Sequence, residues 1–228
     1  MIFDRSRILL GEEAFERLRA KKVAIFGLGG VGGWCAEALV RTGVRNLLLV
    51  DSDSVAPSNV NRQVMATTAT IGEVKIEALS RRLKEISPDV ELELQPRRYD
   101  ETSAGTFALE RFDFVVDAID SIDCKMRLIR ETLELENTVL LSSMGAARRF
   151  DPTRVKTSPF SQVTGDALAK ALRQRLRKSG GMPVKDFTCV WSDEQLAPSD
   201  DGRLGSLMQV TAVFGLALAS IIVRSARI

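Results

Sequence analysis

Residues Val23 to Asp53 read VAIFGLGGVGGWCAEALVRTGVRNLLLVDSD, and the fold is decided there. The run Val23-Ala24-Ile25-Phe26 is apolar without alternation, as in a parallel strand buried on both faces. A glycine cluster follows at Gly27, Gly29, Gly30, Gly32 and Gly33. The apolar spacing from Trp34 to Val40 predicts a helix that Gly43 stops. A second apolar run, Leu47 to Val50, ends in Asp51 and Asp53. GxGxxG alone is a weak signal, but here a strand precedes it, a helix follows and an acid stands about 20 residues on, as a Rossmann-type nucleotide-binding unit requires. The glycines let the backbone approach a phosphate, whose charge is met by free amides and the helix dipole. The acid can accept a hydrogen bond from a ribose hydroxyl.

Outward from this unit the alternation continues. Residues 1–22 predict an arm and a helix in which Ile8, Leu9, Leu10, Ala14, Phe15 and Leu18 share an apolar face. The polar stretch Ser54 to Gly72 is a long connection of the kind that carries function. A helix is expected from Glu73 to Ile86, stopped by Ser87-Pro88, then an edge strand from Val90 to Leu94. Phe114 to Asp120 reads as a buried strand running into acids, Ile122 to Leu135 as a helix and Thr138 to Leu141 as a further strand, with a loop from Ser142 to Ala147. Such alternation predicts an α/β fold, a doubly wound, mostly parallel sheet flanked by helices. Its ligands would collect at the carboxyl ends of the strands.

The character changes near residue 150, so we expect a nucleotide-binding domain over 1–150 and a smaller extension over 151–228 packed on the same sheet. The extension offers a basic helix from Asp166 to Lys178, a strand from Phe187 to Trp191, a polar, acidic and mobile segment from Ser192 to Gly205, and an uncharged apolar helix from Leu207 to Val223. That helix has the length of a membrane span, but four polar or small interruptions favour a helix buried on the sheet, and no stable membrane insertion is expected.

Composition narrows the chemistry. The 228 residues carry a net charge of +2 and no histidine, which excludes Ser-His-Asp and Cys-His mechanisms and histidine ligation of metals. The three cysteines, Cys35, Cys124 and Cys189, form no CxxC pair, and their number suits a reducing, cytoplasmic setting. Cys189 lies in an apolar strand context where a buried, inert thiol is the expected state. Between Arg154 and Lys185 the only acid is Asp166. With Arg148 and Arg149 before it, this is the basic concentration of the chain, and a surface bearing Arg148, Arg149, Lys170, Arg173, Arg177 and Lys178 could bind the phosphates of a folded nucleic acid.

At Asn59-Val60-Asn61-Arg62-Gln63 the sequence resembles the ATP site of the ubiquitin-activating-like superfamily, the ThiF/MoeB-type adenylating enzymes. The likeness continues in Gly72 to Glu77, the superfamily's GxxKxE, and in Val116 to Ser121. Within it, Lys125, Gly145, Phe150 to Thr153, Val190 to Glu194 and the glycine-serine lead into the last helix resemble the tRNA threonylcarbamoyladenosine dehydratases. This resemblance implies ATP and Mg2+ as cofactors and, as substrate, a tRNA bearing threonylcarbamoyladenosine. It implies ATP-dependent dehydration of that nucleoside to its cyclic form through adenylation of the threonyl carboxylate. It also implies roles: Gly27, Gly29, Gly30 and Gly32 against the phosphates, and Asp51 or Asp53 on the ribose. Asn59, Arg62, Gln63 and Lys75 would hold the nucleotide, Asp120 the magnesium ion. In the superfamily an N-terminal arginine reaches across a homodimer to the partner's ATP; Arg5 matches best, with Arg7 the alternative. A cysteine-desulfurase-type sulfur-relay partner is a further association it implies. The loop Met144 to Arg149 departs from the family's glycine-richer pattern, which would reshape the acceptor side. The alternative reading is an adenylating enzyme for the C-terminus of a small ubiquitin-like sulfur carrier.

Overall fold

The computed structural model describes residues 2–198 and 204–227. Seven strands form one sheet: β1 (Lys22–Phe26), β2 (Asn46–Val50), β3 (Glu91–Gln95), β4 (Phe114–Asp117), β5 (Val139–Ser143), β6 (Val155–Pro159) and β7 (Thr188–Ser192). Their spatial order is β3-β2-β1-β4-β5-β7-β6. All neighbours run parallel except the β6–β7 pair. The helices are α1 (Asp4–Leu10), α2 (Glu12–Ala20), α3 (Gly32–Thr42), α4 (Lys75–Ile86), α5 (Ile122–Leu133), α6 (Ala167–Lys178) and α7 (Met208–Ser225).

The period of two along each strand sorts the core onto both faces. Val23, Ile25, Leu47, Leu49 and Val116 face α3, α4 and α7, while Ala24, Phe26, Leu48, Val50 and Val115 face α5, α6 and an aromatic group of Tyr99 and Phe107. Helices therefore cover both sides, as expected for a doubly wound sheet. The residues after 150 extend this same sheet through β7 and β6.

Helix α7 is the one described helix long and apolar enough to cross a membrane by length and composition. Its apolar residues have a protein partner: Val210, Phe214, Leu218 and Ile222, one turn apart, are fully buried in the core on the α3 side. Burying each such side chain contributes about 1.5–3 kcal/mol, which explains why this helix is apolar in a chain whose hydropathy is otherwise ordinary.

Two expectations change. The N-terminal helix is two helices, because Gly11, at φ 79° and ψ 156°, breaks it. The single apolar face is accordingly split: Ala14, Phe15 and Leu18 are buried, while Ile8 and Leu9 are exposed. The edge strand β6 was not legible, since Val-Lys-Thr-Ser-Pro alternates no apolar side chains. Its polar face and terminal proline suit a sheet edge, where they discourage pairing with another chain. Of the acidic segment expected over 192–205, residues 199–203 lie outside the described residues.

The turn after β1 depends on close backbone approach. Gly27 has φ 86°, and a Cβ there would lie 2.6 Å from the Ala118 carbonyl oxygen. A Cβ on Gly32 would lie 1.9 Å from the Gly27 carbonyl oxygen, which is backbone and cannot step aside. Gly32→Ala is therefore expected to prise α3 from β1, lowering the melting temperature and removing nucleotide binding together, as calorimetry would record.

Candidate active site

One cavity of about 650 Å3 opens at the carboxyl ends of β1, β2, β4 and β5. Its floor is the glycine turn. Gly27, Gly29, Gly30 and Val31 line it, and the first amides of α3 have no side-chain cap, so the positive end of the helix dipole faces the cavity. Asp51 holds the turn in shape: its carboxylate accepts the Leu28 N–H at 2.7 Å and the Asp53 N–H at 2.8 Å. Burial pushes the Asp51 carboxyl above its ordinary value, against the pull of the Lys75 ammonium and of those two donors.

Lys75 begins α4 and is nearly buried, with Nζ 2.7 Å from the Asp53 carboxylate. Asp53 is mostly exposed, so this pair keeps a desolvated ammonium aimed at the cavity with a partner that water can reclaim. Arg62 is fixed by two bonds, donating to the Ser58 carbonyl at 2.8 Å and the Asn61 amide oxygen at 3.0 Å. Gln63 lines the cavity with its Oε1 buried and unpartnered. Asp120 sits past the tip of β4, exposed to the cavity, with no hydrogen bond or ion pair among the described residues.

Beneath it Lys125 and Asp117 form a fully buried ion pair at 2.7 Å. Ser142 adds a bond of 2.6 Å to the same carboxylate oxygen, and Lys125 Nζ also donates to the Ile119 carbonyl at 3.1 Å. A buried pair of this kind fixes geometry more than it stabilises; here it fixes the loop that carries Asp120.

Gly27, Gly29, Gly30, Asp51, Asp53, Arg62, Gln63, Lys75 and Asp120 thus converge on one cavity. Gly32 and Asn59 do not line it. Gly32 packs α3 on the turn, and Asn59 is buried with its amide oxygen accepting the Ala56 N–H at 3.0 Å. Asn59 therefore shapes the loop that carries Arg62, and it is not among the residues that line the cavity. Arg5 lies apart, exposed on α1, without a hydrogen bond or ion pair among the described residues. Arg7 pairs with Glu12 and with Glu16 and lies 4.3 Å from the Phe15 ring, so of the two arginines Arg5 alone is available to another molecule.

The expected basic surface is corrected in three places. Arg149 is 1% exposed; it donates to the Gly145 and Glu194 carbonyls and pairs with Asp166 at 3.0 Å. Arg173 donates to the Phe160 and Val163 carbonyls and lies over the Phe160 ring. Arg148, at φ 62°, lines the cavity and donates to the Ala197 carbonyl. Lys170, Arg177 and Lys178 are exposed on α6 with no ion pair among the described residues. Cys189 is buried, its thiol pushed up by desolvation, as is Cys35, whose thiol is pushed up to about 12.

Among the wall residues that sequence reasoning missed are Arg97 and Arg98 after β3, Asp166 just before α6, and Thr211 from α7. The doublet Arg97-Arg98 directly after a predicted strand was the one available signal. Asp166 and Thr211 arrive by long-range packing that no local pattern announces.

Among the described residues no three His, Cys, Asp or Glu side chains converge to hold a metal ion by themselves. One free carboxylate beside a phosphate cradle nonetheless fits magnesium, which commonly takes one or two carboxylates and completes its shell with phosphates and water.

Comparisons with known proteins agree with this geometry. The tRNA threonylcarbamoyladenosine dehydratase of Bacillus subtilis is 40% identical over 84% of this chain and 74% of its own length. The crystal structure of the Escherichia coli tRNA N6-threonylcarbamoyladenosine dehydratase in complex with ATP superposes with a TM-score of 0.91 at 30% identity, covering 99% of this chain and 93% of that one. The molybdopterin-synthase adenylyltransferase of Haemophilus influenzae is 32% identical over 71% of this chain and 65% of its length. A model of the ThiF family matches residues 3–225, a span that takes in every strand and every named helix; the chain belongs to the ThiF family.

Proposed function

We propose that this chain is an ATP-dependent tRNA threonylcarbamoyladenosine dehydratase. The observation that carries the reading is the cavity itself: a glycine cradle, two cations and a free carboxylate at the strand tips, in a chain that matches the Escherichia coli enzyme along nearly its whole length. A carboxylate is a poor electrophile because oxide would have to leave. In the reaction the threonyl carboxylate oxygen bonds to the α-phosphorus of ATP, the bond to the β-phosphate bridge breaks, and pyrophosphate departs. A neighbouring group of the modified nucleoside then attacks the activated carbonyl carbon, the bond to the AMP oxygen breaks, and the ring closes with the net loss of one water. The second nucleophile belongs to the substrate, so no enzyme thiol is required, in keeping with three buried cysteines.

The chain's residues supply position and charge. The turn at Gly27 to Gly30 and the α3 amides hold the phosphates. Asp51 shapes that turn and, with Asp53, borders the ribose. Lys75 as a point charge and Arg62 as a planar fork stabilise the charge that grows on the α-phosphate and pyrophosphate. Asp120 would hold Mg2+ against the phosphates, and the ion, when bound, would offset the charge of the departing pyrophosphate. Lys170, Arg177 and Lys178 give the tRNA a phosphate-binding face, and the free, buried cysteines fit a reducing cytoplasm.

Arg5 completes the site of a second copy in a homodimer. Arg5→Ala and Lys75→Ala are each expected to be inactive, whereas mixing them creates hybrid dimers with one intact site; statistical pairing about a two-fold axis restores roughly a quarter of the activity. No recovery in a mixture shown to contain hybrids would mean that Arg5 does not act across the dimer, and an active Arg5→Ala would place it outside the reaction.

The alternative, adenylation of a ubiquitin-like sulfur carrier, is separated by measuring pyrophosphate release with tRNA carrying threonylcarbamoyladenosine and with such a carrier protein. Release with the tRNA alone is the expected result; release with the carrier alone would reverse the assignment.

A further inference from the structure

The modified group that has to reach ATP in this cavity is short. It hangs from N6 of an adenine, and by ordinary peptide bond lengths its carboxyl carbon lies no more than about 5–6 Å from that nitrogen. A threonyl carboxylate that reaches the α-phosphorus therefore brings its own adenine to the strand tips. In a folded RNA that base is stacked on its neighbours. Enzymes that act on a base take it out of the stack and hold it against apolar or aromatic side chains.

The cavity offers such a wall at one end. The phosphates belong to the turn after β1 and the ribose to the acids at β2, so the nucleotide extends towards β3. The opposite end, beyond β5, is lined by Ala146, Ala147, Ala167, Leu168, Leu196 and Leu204. The two charged residues there are engaged within the protein. Asp166 pairs with Arg149, and Arg148 donates from Nε to the Ala197 carbonyl at 2.6 Å.

Hydrogen bonds assemble this wall from distant segments. The Arg148 N–H donates to the Gly205 carbonyl at 2.8 Å, and the Arg148 carbonyl accepts the Ala197 N–H at 2.9 Å. Arg148 thereby ties the residues beside Leu196 and Leu204 to the loop of Ala146 and Ala147. From the other side, a Cβ on Gly145 would stand 3.6 Å from the Leu168 Cβ, so the start of α6 lies directly against the same loop. Leu168 and Leu196 are each only partly buried. Apolar side chains gathered into a cavity and left open to water mark a surface that a ligand covers.

We propose that this end receives the adenine of the substrate nucleoside, flipped out of the RNA, with Leu168 and Leu196 packed on the base. This rests on the reading of the chain as a tRNA threonylcarbamoyladenosine dehydratase. A flat base covers apolar side chains with its face and keeps its polar edge free. The extended peptide of the alternative reading carries amides along its whole length, and these leucines offer them no partner.

The test uses tRNA carrying threonylcarbamoyladenosine with 2-aminopurine on its 3′ side, a base whose fluorescence rises when its stacked neighbour leaves. The tRNA is bound to the whole protein together with α,β-methylene-ATP, which fills the nucleotide site and cannot release pyrophosphate. The wild type is expected to raise the fluorescence several-fold. Leu168→Ala combined with Leu196→Ala is expected to lose most of that rise. With ATP, the same variant is expected to show a KM for the tRNA raised roughly tenfold, the scale on which apolar contacts in a pocket discriminate, and an unchanged KM for ATP. A wild type that turns this tRNA over yet leaves the fluorescence unchanged would overturn the proposal. So would a double variant with the wild-type KM for tRNA, or one in which both KM values rise alike. The wild-type fluorescence decides the matter even where the variant fails to fold. Absence of pyrophosphate release from wild type, ATP and this tRNA would instead remove the reading on which the proposal rests.

Discussion

Lys75→Met is expected to lower tRNA-dependent pyrophosphate release by roughly 100- to 1,000-fold, the usual loss when one preorganised charge-stabilising group is removed from a reaction centre. The ammonium of Lys75 lies in the cavity wall, nearly buried, with only the mostly exposed Asp53 carboxylate opposite. Bound phosphates can take that ammonium from Asp53 while water takes the carboxylate, so the charge is stored beside the place where it is needed. For the same reason the fold should hardly notice the change: a pair with one partner in solvent contributes about 0–1 kcal/mol. Arg62→Ala should act in the same direction, since Arg62 is fixed only by its own loop. Far-ultraviolet circular dichroism and thermal melting would establish that both variants are folded. Unaltered turnover by both would refute the placement of the triphosphate between these two cations.

Arg149→Met is expected to be the most destabilising single change in the acceptor half of the protein. Arg149 and Asp166 are paired with both side chains wholly out of solvent. Asp166 also caps α6 through the Ala169 N–H at 2.9 Å and accepts the Gly145 N–H at 3.1 Å. Removing the guanidinium strands a carboxylate in the interior and frees the Gly145 and Glu194 carbonyls. Breaking a buried pair from one side costs about 3–5 kcal/mol, which for a chain of this size is a fall of very roughly 6–20 °C in melting temperature. Adding Asp166→Asn should recover part of the loss, because an amide still caps α6 and bears no charge. A melting temperature of Arg149→Met within a degree or two of the wild type would show that the pair does not hold the loop after β5 to α6.

Much of this arrangement is written locally in the chain. The glycine turn, the helix that follows and the acids on β2 and β4 each follow from short-range pattern, and pattern places them at strand tips because parallel sheets put their turns there. What could not be read depends on contacts between distant segments. Arg149 looked like a solvated cation because composition reveals charge; three acceptors from residues 145, 166 and 194 are brought to it only by folding. Asn59 sits in a motif whose Arg62 and Gln63 line the cavity, yet its amide oxygen is taken by the Ala56 N–H. The edge strand β6 has no apolar alternation because one of its faces meets water. Arg148 takes φ 62°, a left-handed backbone that a reading of local pattern does not expect of an arginine, and its side chain lines the cavity.

The central claim is that a carboxylate of the modified nucleoside attacks the α-phosphorus of ATP in this cavity. It is tested most directly by supplying tRNA whose threonyl carboxylate is labelled with oxygen-18 and analysing the AMP released by mass spectrometry. Attack by that carboxylate, followed by loss of AMP on ring closure, predicts AMP carrying one labelled oxygen alongside a nucleoside lighter by one water. Cyclised nucleoside accompanied by unlabelled AMP, or ATP left intact, would contradict it.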